Sequence, residues 1–91
     1  MSAELQGVRA AIDSLDERIV ALLAERQQWV ERAGRLKTDR AAVPAPGRVE
    51  EVIARVRAHA VESGADAQVV EQTYRAMIAA FIELELRAHE R

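Results

Sequence analysis

LQGVRAAIDSLDERIVALLAERQQWVERAGRLKT, residues 5–38, carries apolar side chains at Leu5, Val8, Ile12, Leu15, Ile19 and Leu22, and again at Trp29, Ala33 and Leu36. Alternating steps of three and four residues place them on one side of a helix, in the heptad pattern of a helix packed lengthwise on another. At about 1.5 Å per residue such a helix is roughly 50 Å long. That is more than a chain of 91 residues covers from within, so a second subunit lying along it is predicted. Trp29 reads as core rather than as a binding platform. Gly34 costs the helix about 1 kcal/mol against Ala, which implies either close backbone approach or a local weak point.

Outward from this run the chain is punctuated once. AAVPAPG, residues 41–47, holds both prolines of the protein and one of its four glycines. Proline cannot continue a helix, so the first helix is expected over about 5–39 and a loop over 40–47. A second helix is expected over 48–63, with Val49, Val52, Ile53, Val56 and Ala60 on one face and Gly64 just past its end. Asp66 can cap a third helix over about 66–90, whose stripe is Val70, Thr73 or Tyr74, Met77, Phe81 and Leu84. The expected fold is all-α, a single domain over 1–91.

Composition agrees with helices: 49% of residues are hydrophobic but 3% aromatic, and Ala, Leu, Glu and Arg abound. With no cysteine, disulfides and thiolate chemistry are excluded. His59 and His89 stand too far apart in sequence to suggest metal ligation, and no cofactor is expected. The formal net charge is -2, with both signs interspersed, so no nucleic-acid partner is predicted. No apolar run suits a membrane span and residues 1–9 lack the layout of a signal peptide, which predicts a cytoplasmic protein.

Charges inside the apolar pattern point to a site. Arg26 takes the seam position after Leu22, so its guanidinium must have an acidic partner, snorkel to solvent, or face a cavity that holds an anion. Lys37, eleven residues on, projects from nearly the same helical face. Arg48 falls at the start of the second helix, where backbone N–H groups favour an anion; a solvated first-turn arginine is the simpler reading. Glu85 follows Phe81 by four residues and lies on or beside the apolar stripe. It is either a buried acid able to donate a hydrogen bond or the partner of Arg26 or Lys37. Arg9 is turned away from the Arg26 face. It is exposed, or enters a second subunit's site in an antiparallel dimer. No nucleophile beside a base, phosphate loop or metal-ligand spacing is present.

The order VRAAIDSLDERIVALLAERQQWV, then GRLK, then PAPGRV resembles the all-helical chorismate mutase family from about Leu5 to Arg87. The family's IDxLDxxIxxLLxxR opening is met by Ile12, Asp13, Leu15, Asp16, Ile19, Leu22, Leu23 and Arg26. AAVPAPGRV further resembles the isochorismate pyruvate lyase branch. The resemblance implies an intertwined homodimer of three-helix chains acting without cofactor on a small dianionic substrate, chorismate or isochorismate. Arg9 would come from the partner subunit, Arg26 and Arg48 would hold substrate carboxylates, and Lys37 would bond the ether oxygen of the enolpyruvyl group.

Three positions depart from that family. Glu85 stands where a glutamine is usual and would donate only when protonated, which predicts higher activity at mildly acidic pH. Val49 replaces a glutamate that contacts the ring hydroxyl, and Phe81 makes the pocket drier. The expected reaction is chorismate to prephenate. The alternative is isochorismate to salicylate and pyruvate, with 4-amino-4-deoxychorismate a lesser candidate substrate. From another class, the chain is a non-catalytic helical dimerisation or regulatory module.

Overall fold

The computed structural model describes residues 2–89 and forms three helices, α1 (Ala3–Leu36), α2 (Pro46–Ser63) and α3 (Ala67–His89), with a short 3-10 turn at Arg40–Ala42. The described residues contain no strand. The chain divides into two compact units, Met1–Val30 and Glu31–Arg91.

The first unit is helical, and Ser2 starts it by accepting the Leu5 amide on Oγ at 3.1 Å. Its seam residues Leu5, Val8, Ile12, Leu15, Ile19 and Leu22 all remain exposed. Trp29, on the same stripe, is likewise exposed in the single chain, at 67%. A single helix has no second element of its own unit to lay over its stripe.

α1 stops at Leu36, three residues short of the expectation, because Asp39 leaves the helix for extended backbone (φ -124, ψ 127) and caps the 3-10 turn, its carboxylate accepting from the Ala41 amide at 2.9 Å. α2 begins two residues early, at Pro46, whose fixed φ and missing N–H suit a first helical turn. The residue before it, Ala45, is left-handed at φ 38, ψ 64. Gly64, at φ 78, closes α2 by donating to the carbonyls of Ala60 and Val61. Asp66 Oδ1 then accepts from the Val69 amide at 3.0 Å and opens α3. The expected last helical position, 90, lies outside the described residues.

α2 and α3 pack together; Ile53 and Ala60 on α2 and Ile78 on α3 are buried, as is Val43 just after the 3-10 turn. Val49, Val52, Val56, Val70, Tyr74, Met77, Phe81 and Leu84 are half-buried. Tyr74 rather than Thr73 continues the α3 stripe, since Thr73 is exposed and turns its hydroxyl back to the Val69 carbonyl at 2.8 Å. A charge ladder lies across the pair. Arg75 forks onto both carboxylate oxygens of Glu50 at 2.9 Å and onto Glu71 at 2.9 Å, and Arg57 reaches Glu71 at 2.6 Å.

Candidate active site

Lys37 is the first residue beyond α1, and its amide still bonds the Gly34 carbonyl at 3.2 Å. Its ammonium meets Glu85 Oε2 at 2.7 Å. Glu85 is a buried charged residue among the described ones, at 5% exposure, so the position four residues past Phe81 does face inward. Of the two readings open for its carboxyl, the structure forms the ion pair, and with Lys37. The Lys37 side chain keeps 27% exposure. Of its three N–H donors, one serves Glu85 and one points to the Val43 carbonyl at a long 3.5 Å. A donor remains for an oxygen arriving from outside.

Gly34 explains itself against Glu85. A methyl group there would lie 2.7 Å from Glu85 Cγ and 3.3 Å from Cδ and Oε2. Close approach, and not local weakness, is the reason for the glycine. One turn beyond Glu85, His89 Nε2 lies 3.2 Å from the Lys37 carbonyl oxygen. That oxygen accepts, so this ring nitrogen carries the proton. Glu31, Gly34, Arg35, Glu85, Ala88 and His89 line a groove of about 570 Å³, within the size range of small-molecule sites.

The other predicted residues are distributed as follows. Arg48 is exposed at the start of α2, its guanidinium donating to Glu51 at 2.9 Å. Val49 on α2 and Phe81 on α3 are half-buried in the same unit as Lys37 and Glu85. Arg26 is half-buried and Arg9 exposed, both on α1 within the Met1–Val30 unit. The structure thus joins Lys37 to Glu85. Sequence reading passed over His89, weighing it only as a metal ligand; its spacing from Glu85, one helical turn, was the available signal. Among the described residues, no three His, Asp or Glu side chains gather in a way that could hold a metal ion.

Chemically, a fixed ammonium beside a buried carboxylate suits stabilisation of charge that develops on an oxygen during bond breaking. The sequence profile of the family described as "Chorismate mutase type II" matches residues 8–86. Among curated proteins, the chain is 36% identical over 83 residues to a protein of Pseudomonas aeruginosa named "Isochorismate pyruvate lyase", covering 91% of this chain and 82% of that one.

Proposed function

Because the chain belongs to the chorismate mutase type II family, we propose that it is a chorismate mutase, converting chorismate to prephenate by pericyclic rearrangement. The observation that carries this reading is the Lys37 ammonium, fixed at 2.7 Å by a buried Glu85 with donor capacity to spare. In the rearrangement an ether C–O bond breaks as a C–C bond forms, and negative charge builds on the ether oxygen. No nucleophile is needed. The protein has to hold the substrate in its folded reactive conformer and set a cation beside that oxygen.

Lys37 is assigned the ether oxygen, and a preorganised donor of this kind contributes roughly 3 to 4 kcal/mol at the transition state. Glu85 acts at the same place, holding the ammonium. Arg26 and Arg48 are assigned the two substrate carboxylates. Arg48 can leave Glu51 at little cost, since exposed ion pairs contribute about 0.2–1 kcal/mol. Arg9 enters from the partner subunit of a homodimer, for which the exposed apolar stripe of α1 is the supporting observation. Val49 leaves the ring substituent loosely specified and Phe81 dries the pocket.

A second reading, isochorismate pyruvate lyase, is favoured by the 36% identity to a protein of that name and by the apolar Val49. It needs the same cation beside the same ether oxygen. Incubating pure protein with each substrate separates the two: prephenate from chorismate supports the mutase, and salicylate with pyruvate from isochorismate supports the lyase. If neither these substrates nor 4-amino-4-deoxychorismate is consumed, the reading that stands is a non-catalytic helical module.

A further inference from the structure

We propose that His89 and Gly34 are positioning residues for Lys37, acting with Glu85 as a two-point grip of α3 on the catalytic lysine. The proposal rests on reading Lys37 as the donor to the substrate, and it concerns how that donor is held. A lysine has a long, flexible stem whose rotamer freedom must be lost before its ammonium holds one place. An ion pair at its tip fixes the ammonium only as well as the backbone beneath it is fixed. Lys37 lies beyond the last residue of α1, where carbonyls have no intrahelical partner. The Lys37 amide is still tied to the Gly34 carbonyl, which leaves the carbonyl side of its backbone to be fixed by another partner.

His89 does so. Its Nε2 donates to the Lys37 carbonyl at 3.2 Å while Glu85 takes the ammonium at 2.7 Å. Glu85 and His89 are four residues apart on α3, so both face Lys37 from adjacent turns of one rigid element. The backbone and the tip of the lysine are therefore referred to the same helix. Gly34 completes the device from the other side. The space its missing Cβ leaves is filled by Glu85 Cγ, and a methyl at 2.7 Å would push the carboxylate off its line to Lys37. The groove lined by Gly34, Glu85 and His89 runs beside these contacts.

The test is kinetics of His89 and Gly34 variants on the substrate that the wild type turns over, together with nitrogen NMR of the Lys37 ammonium, assigned by its loss in Lys37→Arg. His89→Phe is expected to lower kcat by about tenfold or more, with KM changed by about twofold or less, since misplacing a catalytic group costs rate before affinity. His89→Gln, which carries an N–H at a similar reach, recovers most of that loss. Gly34→Ala lowers kcat in the same manner in the wild type and adds no further loss in a Glu85→Ala background, where the clash is gone.

Unchanged kcat in His89→Phe with only a lower Tm overturns the proposal, as do equal losses for His89→Phe and His89→Gln. Additive losses in the Gly34→Ala and Glu85→Ala cycle overturn the part assigned to Gly34. Should the wild type consume neither substrate, the catalytic reading of Lys37 fails and the NMR measurement still decides the grip. A distinct ammonium signal lost in both Gly34→Ala and His89→Phe upholds it, and one unchanged in both overturns it.

Discussion

Lys37 and Glu85 show how one contact divides labour between two charges. The lysine stays partly open to solvent while the glutamate is buried against Gly34, so in the proposed site the carboxylate is the anchor and the ammonium the working end. Glu85→Gln keeps an oxygen that can accept from Lys37, whereas Glu85→Ala removes it. We expect Glu85→Ala to lose kcat severely and to cost about 1.5–3 kcal/mol in urea unfolding, the range for a hydrogen bond to a charged group, and Glu85→Gln to lose less of both. At this scale the sequence was informative about direction and silent about neighbours. Glu85 four residues past Phe81 announces an inward-facing carboxyl, but periodicity gives the side of a helix and not what lies opposite. Gly34 likewise displays its cost to the helix, while its cause is a side chain from α3.

Among the elements, the packing of α2 on α3 combines an apolar stripe that was readable with a charge ladder that was not. Glu50, Glu71, Arg57 and Arg75 lie off the stripe, so each one alone reads as a solvated charge; the fork of Arg75 becomes visible only once the two helices are side by side. Hydrogen bonds from Arg75 hold the carboxyls of Glu50 and Glu71 below the ordinary value of 4.5, with Arg57 adding to the effect on Glu71. A carboxyl whose folded pKa is depressed stabilises the fold above its unfolded pKa and loses that contribution as pH falls through the folded one. The Tm gap between wild type and Glu50→Gln/Glu71→Gln should therefore be largest above pH 4.5 and shrink on further acidification. A gap that widens in acid would contradict the ladder.

The start of α2 offers a second check. Ala45 occupies the left-handed region, at a cost of roughly 1–2 kcal/mol for a residue with a Cβ. Glycine relieves that cost but loses about 0.4–1 kcal/mol through a freer unfolded chain. Ala45→Gly should therefore raise the Tm slightly in thermal unfolding. Pro46 opens α2 although a stretch with two prolines signals a loop, because the fixed φ and missing N–H of proline suit the first helical position.

For the molecule as a whole, three helices, their order and the faces of α2 and α3 were open to sequence reading, since each rests on local periodicity and punctuation. The α1 stripe was also identified, and it remains exposed in the single chain from Leu5 to Leu22. In the proposed homodimer that stripe is covered. Unfolding should then depend on protein concentration, and Ile12→Arg should give a slower-associating or monomeric species by sedimentation, with activity lost. A wild-type monomer at all concentrations would remove Arg9 from the site. The arginines were the least determined residues, because where a long charged side chain ends up depends on surfaces that one helix does not contain.

The catalytic claim is that separately placed cations, with Lys37 foremost, lower the barrier for a doubly negative substrate. Steady-state kinetics of Lys37→Ala, Arg26→Ala and Arg48→Ala test it most directly. Lys37→Ala should lower kcat by about 10²–10³, the loss seen for a preorganised donor, and the two arginine variants should also raise KM. Near-wild-type kcat and KM in all three would contradict the site.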